Sequence, residues 1–303
     1  MVVSLVNKSR LFAKTTTQLP LMLHRADFSI NFLKSKPVVS IINLSGSIQA
    51  EQGRPGKFGN SSKLNLLGLE KSIDKAFSYK NLKSVLLNVN SPGGSPVQSE
   101  LIANKIVRLG KKNNVKVYSF VEDLAASGGY FLACAGDEIY ATKHSIVGSI
   151  GVISFRMGFN ELIKNYGIDW RVHTAGKSKS FLDPFQAEKD EDVVKLKRVL
   201  NIIHGNFIDY VKSRRGGRLN ASDDTLFNGD IWAGEEAVEN GLIDGIDDIG
   251  NFIETRYGVK GKDIRVVHVN AGRGLSQIFG RLGTSSITSG LEESVYSERF
   301  KVM

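Results

Sequence analysis

Two adjacent glycines, Gly93 and Gly94, lie in residues 90–95, between a predicted strand and a predicted helix. Glycine allows positive φ angles and a close approach of the backbone to a ligand. Backbone N–H groups at such a turn can bind the oxyanion formed during acyl transfer, or a phosphate. The lysine and the serine or threonine of a phosphate-binding loop do not follow. The segment therefore predicts an oxyanion-binding turn, with a plain tight turn as the alternative.

Ser127 opens a predicted short helix and has small residues on both sides. Small flanking residues suit a sharp turn that exposes a nucleophilic hydroxyl group, as in nucleophile elbows, although the G-x-S-x-G pattern is missing. The alternative is a helix N-cap, which is the usual role of a serine at such a position.

Two lysines, Lys177 and Lys179, lie in residues 174–180, directly after a predicted strand at residues 171–174. A loop lysine is normally a solvated surface charge. It acts as a general base only where burial or a neighbouring cation favours its neutral amine. A basic role for either lysine therefore requires a largely buried site.

A histidine base is the other way to activate a serine. None of the five histidines has a carboxylate close by in sequence that would orient it: His24, His144, His173, His204 and His268. A histidine triad stays open because distance along the chain does not exclude contact. The single cysteine, Cys134, excludes an internal disulfide framework and a cysteine-rich zinc site, and we predict neither a metal nor a cofactor.

Strands and helices alternate along the sequence that must position these groups. The predicted strands are residues 38–44, 85–89, 115–120 and 138–141, and the predicted helices are residues 64–78, 96–111, 127–135 and 187–214. Residues 45–62 are polar and rich in glycine and serine, so they predict a loop. The alternation predicts an α/β fold in which right-handed crossovers build a mainly parallel sheet with helices packed outside it.

The composition is that of an ordinary soluble globular protein, with 41% hydrophobic and 23% charged residues among 303. No stretch approaches 18 uncharged apolar residues, so no transmembrane helix is expected. The net charge is +9, of which residues 1–26 contribute four positive charges and no acid. The remaining excess of five is unremarkable, and without a recognisable binding motif we predict no nucleic-acid partner.

The chain divides by composition into three parts. Residues 1–36 are basic and rich in serine and threonine, which is typical of an organellar targeting segment, with a disordered arm as the alternative. Residues 37–271 form the folded domain, and residues 272–303 form a flexible tail. A targeting segment implies a mitochondrial protein in a eukaryote; in a bacterium we expect the cytoplasm or the membrane periphery.

Taken together and in this order, the motifs resemble the SppA-type signal peptide peptidases. These are serine proteases that share an α/β fold with Clp protease and the crotonases. The matching stretches are residues 90–95, 126–130, 147–152, 176–185 and 229–244. The resemblance covers about residues 38–250 and is greatest for soluble members with a single repeat.

The resemblance implies a Ser/Lys dyad. Ser127 matches the nucleophile. Lys179 matches the general base because it is the first residue of the K-S-x-x-D-P-F stretch, whereas Lys177 lies outside that stretch. Ser149 matches a serine that orients the lysine amine. The backbone donors for the oxyanion are implied to come from the glycine turns: Gly93, Gly94 and Gly128.

The resemblance also implies peptide substrates, short or unfolded, with cleaved signal peptides among the candidates. A single repeat implies a homo-oligomeric ring with active sites at subunit boundaries. Many family members carry a membrane anchor that is not expected here, which leaves membrane association open. Two alternatives share the fold: a crotonase-type acyl-CoA enzyme, in which Lys179 would be idle, and a non-catalytic scaffold.

Overall fold

A mainly parallel β-sheet runs through the part of the chain that this computed structural model describes, residues 36–50, 63–258 and 264–269. The strands are β1 Val38–Ser45, β2 Ser47–Ile48, β3 Lys63–Leu64, β4 Leu82–Ser91, β5 Lys116–Ala126, β6 Glu138–Ala141, β7 Ile146–Gly148, β8 Ile231–Ala233, β9 Gly245–Ile246 and β10 Arg265–Val269. The α-helices are α1 Leu66–Ala76, α2 Pro96–Asn113, α3 Gly128–Ala133, α4 Asn160–Asn165, α5 Asp190–Arg215, α6 Asp223–Leu226, α7 Gly234–Glu239 and α8 Ile249–Tyr257. The predicted fold class, α/β with a mainly parallel sheet, is confirmed.

The sheet has the strand order β10-β1-β4-β5-β6-β9, and every neighbouring pair in this order is parallel. The last residues of β5 also pair with β7 in parallel, and β7 pairs with β8 in the antiparallel sense. The register between β4 and β5 shifts between Val89 and Ser91. Irregularities of this kind re-aim the chain at the end of a strand. As a result, β4, β5 and β7 end side by side.

Both faces of the central strands are buried along most of their length, which is why β1 and β4 read as continuous apolar runs. One face contacts the main core, to which Leu87 and Val121 belong. The other face packs against α8, where Phe252 meets the rings of Tyr118 and Phe120 at centroid distances of 4.8 and 5.0 Å. The helices therefore cover both sides of the strands that lead to the candidate site.

The predicted strand at residues 171–174 is wrong. These residues are exposed and belong to no strand. A strand needs a neighbour to satisfy its backbone N–H and C=O groups, and none of the described residues pairs with this segment. The predicted loop at residues 45–62 contains the short strand β2, paired with β3, and residues 51–62 lie outside the described residues. The predicted arm and tail lie outside them as well, apart from Lys36.

Candidate active site

Three candidate segments follow the carboxyl ends of three neighbouring parallel strands. Gly93 and Gly94 follow β4, Ser127 follows β5 and Ser149 follows β7. Because β5 pairs with both β4 and β7, the three turns lie at one edge of the sheet. The carboxyl edge is where open α/β sheets generally bind their ligands.

Ser127 sits on a strained strand-to-helix turn. Its φ is 52° and its ψ is −123°, and its N–H donates to the carbonyl of Gly148 at 2.8 Å. A residue other than glycine with a positive φ is uncommon, and such strain is found preferentially at functional sites. The half-buried side chain makes no capping hydrogen bond with α3. The N-cap interpretation is therefore not supported, and the hydroxyl is left for another partner.

The glycine turn lies directly against Ser127. An ideal Cβ atom built on Gly93, whose φ is 97°, would lie 2.9 Å from the Cβ of Ser127 and 2.7 Å from the backbone nitrogen of Gly128. Any side chain at position 93 would therefore push the two turns apart. The N–H of Gly93 itself donates to Ser91 Oγ at 3.2 Å, so its role as an oxyanion donor stays a prediction.

Two other backbone N–H groups, those of Gly94 and Gly128, make no hydrogen bond with any of the described residues. They lie close together, because an ideal Cβ atom on Gly128 would be 3.3 Å from the nitrogen of Gly94. Strand β2 fixes the glycine turn. The N–H of Ile48 donates to the carbonyl of Gly93, and the carbonyl of Ile48 accepts a hydrogen bond from the N–H of Ser95, both at 2.8 Å. The arrangement offers two neighbouring donors beside Ser127.

Ser149 occupies a second strained turn, with φ 51°. Its N–H donates to the carbonyl of Asp230 at 2.6 Å, and the next carbonyl, that of Ile150, is 3.0 Å from Nε2 of His204 on α5. In the sequence, His204 is a candidate only for a catalytic base. The structure instead gives it a contact that holds the Ser149 turn, and no hydrogen bond of a described histidine reaches Ser127.

Lys179 stands apart from these groups. It lies exposed in a turn, where its N–H donates to the carbonyl of Gly176 at 3.2 Å, and Lys177 is exposed as well. Among the described residues no hydrogen bond links Lys179 to Ser127 or Ser149. The structure thus brings together the predicted serines and glycines but leaves the predicted base in solvent.

Residues 152–174, here called the apolar arm, precede the Lys179 turn and contribute no residue to the buried core. Helix α4 within the arm has no buried residue. Eight large apolar side chains of the arm are 36–76% exposed: Ile153, Phe155, Met157, Leu162, Tyr166, Ile168, Trp170 and Val172. The arm packs on the residues after Lys179, since Phe159 donates to the carbonyl of Pro184 at 2.6 Å. Exposed apolar side chains in such number within one segment are typical of an interaction surface.

The far end of α3 is held by the last turn of α5. The Arg214 guanidinium donates to the carbonyls of Cys134, Ala135 and Gly136 at 2.8–3.1 Å. Beside it, the buried Arg215 side chain pairs with Asp244. In the sequence these arginines are typical basic residues at the end of a long helix, where they match the helix dipole, and their buried contacts have no signal in a single sequence.

Among the described residues, no three His, Cys, Asp or Glu side chains come together where they could hold a metal ion. No described helix combines the length and the apolar character needed to cross a membrane.

Comparison with known proteins identifies the family. The model of peptidase family S49 matches residues 110–256. A putative protease of Methanocaldococcus jannaschii is 36% identical over 227 residues, a match that covers 74% of this chain and 72% of that protein. The chain belongs to peptidase family S49. The predicted resemblance to SppA-type peptidases is thereby confirmed.

Other relatives of this S49 chain differ in length. The probable protease SohB of Buchnera aphidicola subsp. Schlechtendalia chinensis is 31% identical over 253 residues, which is 82% of this chain and 77% of that protein. A protein of Brucella abortus named Na(+)/H(+) antiporter NhaA is 46% identical over 224 residues, which is 74% of this chain but only 30% of that protein. The chain thus spans less than a third of the length of that relative.

Among solved structures, the membrane-bound stomatin-specific protease 1510-N in complex with a substrate peptide is similar to this S49 chain. The TM-score is 0.46 and the sequence identity 14%, over 82% of this chain and 99% of that one.

Proposed function

We propose that the chain is a serine endopeptidase with Ser127 as nucleophile and Lys179 as general base. The observation that carries the proposal is the turn at Ser127, which holds an uncapped hydroxyl beside the unpaired N–H groups of Gly94 and Gly128. This is the arrangement that acyl transfer needs: a nucleophile next to donors aimed at the developing oxyanion. Membership of peptidase family S49 supports the reaction class.

The reaction then proceeds without histidine. The neutral amine of Lys179 takes the proton of Ser127 Oγ as the oxygen bonds to the peptide carbonyl carbon, and the glycine N–H groups stabilise the oxyanion. The C–N bond breaks when the ammonium of Lys179 returns its proton to the leaving amine. Water attacks the acyl-enzyme with the same amine as base, and release of the acid restores Ser127. Ser149 orients the lysine amine.

In this proposal a neighbouring copy of the chain supplies the general base to Ser127. Lys179 is exposed and makes no hydrogen bond with Ser127 among the described residues, although a general base must come within hydrogen-bond reach of the proton that it takes. The apolar arm beside the Lys179 turn supplies surface that a second copy can cover. Covering the arm would remove Lys179 from water and favour its neutral form. A closed ring satisfies this interface for every copy.

Enclosure of the sites within a ring restricts the substrates to short or unfolded peptides. An acyl-CoA enzyme on the same fold would leave Lys179 idle and would resist a fluorophosphonate probe. A non-catalytic scaffold would have no use for the strained turn at Ser127. Labelling of Ser127 by the probe would therefore contradict both alternatives.

The test combines single variants with subunit mixing. Ser127→Ala should reduce peptide cleavage by about 10³-fold or more. Lys179→Ala should do the same, whereas Lys177→Ala, a matched lysine in the same loop, should keep most of the activity. Cleavage retained by folded Ser127→Ala protein would contradict the proposal.

Mixing the two inactive proteins then tests the shared site. If Ser127 and Lys179 meet across a boundary, co-assembly in equal amounts restores a complete pair at about one site in four, as random placement in a closed ring requires. Active protein that is monomeric by light scattering would contradict the ring. A ring without recovery on mixing would instead assign both residues to one copy.

A further inference from the structure

The turn that carries Lys179 is held on both sides by the first turns of α5. On one side, Lys195 Nζ donates to Ser178 Oγ at 3.1 Å. On the other side, the N–H of Leu182 donates to Asp192 Oδ2 at 3.3 Å. The turn is therefore anchored to α5 on both sides of Lys179.

Leu182 has a backbone conformation that a leucine rarely adopts. Its φ is 50°, in the left-handed region, and its side chain is buried. Such a conformation costs free energy and persists only where the surroundings determine it. Two contacts hold the Leu182 backbone, the Asp192 carboxylate on its N–H and Arg156 Nη1, which donates to its carbonyl at 3.3 Å.

Asp192 differs from the two acidic residues that precede it. Asp190 and Glu191 are exposed, whereas Asp192 is 7% exposed. All three are equally favoured at a helix start by the helix dipole, so the dipole does not explain why one of them is buried. A buried carboxylate is costly unless it is hydrogen-bonded. Its partners are the N–H of Leu182 and, at 3.6 Å, Lys195 Nζ.

We propose that Asp192 is a positioning residue for the general base. Its carboxylate accepts a hydrogen bond from the N–H of Leu182. This bond keeps the strained end of the turn in place and so directs the amine of Lys179 towards the nucleophile. The inference rests on the proposed function, because it needs Lys179 as the base. A general base must come within hydrogen-bond reach of the proton it takes, and a displacement of about 1 Å costs on the order of 100-fold in rate.

The test separates the acceptor oxygen from the charge. Asp192→Asn keeps an acceptor at the same reach and removes the charge, so its kcat should stay within about threefold of wild type. Asp192→Glu keeps the charge but moves the acceptor by one methylene group, so its kcat should fall about 10- to 100-fold, as for Asp192→Ala, with KM nearly unchanged. Glu191→Ala is the matched control, because Glu191 also lies 3.7 Å from Lys195 but is exposed, and it should behave as wild type.

A double variant excludes a merely structural role. In Lys179→Ala protein the base is already missing, so adding Asp192→Ala should not lower the residual cleavage rate any further. All variants are compared in the same assembly state, established by light scattering. If Asp192→Ala does not fold, the pair Asp192→Asn and Asp192→Glu still decides the question.

Three results would overturn the inference while leaving the proposed function intact. These are wild-type kcat in Asp192→Glu, a kcat of Asp192→Asn as low as that of Asp192→Ala, and a further loss in the Lys179→Ala background. Wild-type protein without any cleavage that depends on Ser127 would instead overturn the proposed function, and the inference with it.

Discussion

The buried ion pair between Arg215, at the end of α5, and Asp244 provides a quantitative test of how burial determines the contribution of an ion pair to stability. The Arg215 side chain is 1% exposed and donates to both carboxylate oxygens of Asp244 at 2.6 and 3.2 Å. Asp244 also accepts the backbone N–H of Ile139 at 2.7 Å. Asp244→Ala would leave a buried guanidinium without its counter-charge and a strand N–H without its acceptor. Breaking one side of a buried pair costs about 3–5 kcal/mol of unfolding free energy, a large part of the roughly 5–15 kcal/mol available to a typical domain.

The effect should depend on pH in a defined direction. Burial of the Asp244 carboxyl opposes ionisation, but the hydrogen bonds from Arg215 and Ile139 outweigh it, so the pKa of Asp244 is lowered. A pKa that is lower in the folded state than in the unfolded chain gives stabilisation that is present above the unfolded value, near 4, and is lost as the pH falls through the folded value. The difference between wild type and Asp244→Ala should therefore be constant from about pH 5 to 8 and shrink in stronger acid.

Urea unfolding at a fixed protein concentration, followed by circular dichroism, measures this difference. The matched control is Glu235→Ala, because Glu235 pairs with Lys143 at 2.8 Å but both side chains are largely exposed. The control should show no measurable change. A loss below about 1 kcal/mol in Asp244→Ala, or a loss equal to that of the control, would refute the reasoning about burial.

Two further predictions concern α3 and its surroundings. A Cβ atom on Gly129 would lie 2.2 Å from the carbonyl oxygen of Ser91, so Gly129→Ala should force α3 away from β4, cost about 1–3 kcal/mol in a urea titration and lower the cleavage rate. Gly205→Ala on α5, with nothing within 4 Å of the new atom, should leave the rate unchanged and stability equal or higher; a similar loss in both variants would contradict the packing argument. Burial raises the pKa of the Cys134 thiol to about 11, so only about 0.1% of the thiol is ionised to the reactive thiolate at pH 8. Iodoacetamide, which modifies thiolates, should therefore leave the peptidase activity intact, whereas a fluorophosphonate, which modifies the serine, should remove it. Rapid loss of cleavage with iodoacetamide under native conditions would show that Cys134 is accessible after all.

The sequence carries most of the information about the glycine turn and the Ser127 turn, because each is local. A buried apolar run followed by small residues and an amphipathic helix predicts where β4 and β5 end. Ser127 follows directly from that pattern. The positive φ angle of Ser149 cannot be predicted from a local pattern, because the short strand β7 that precedes it depends on pairing with β5 and β8.

Other features depend on contacts that no local pattern encodes. The sequence predicts a strand at residues 171–174. A strand forms only where a neighbour completes its hydrogen bonds, and among the described residues this segment has no such neighbour. Asp192 and Arg215 look like ordinary dipole-matched charges at the two ends of a helix. Only the tertiary structure distinguishes these buried side chains from their exposed neighbours.

Helix α5 is the feature with the widest consequence. Asp192 near its start contacts the turn of the proposed base, and His204 in its middle contacts the Ser149 turn. Arg214 at its end contacts the nucleophile helix. An α-helix rotates by about 100° per residue, so inserting or deleting one residue anywhere between these points would turn one set of contacts away from its partner. Adding whole turns would restore the direction of the side chains, but it would also lengthen the helix by about 1.5 Å per residue. The length of α5 between these contacts therefore cannot change if all three are to survive. Helix α5 therefore fixes the spacing between the three parts of the site. Loop grafting or chimera design in this protein has to keep the number of residues between Asp192 and Arg214 unchanged.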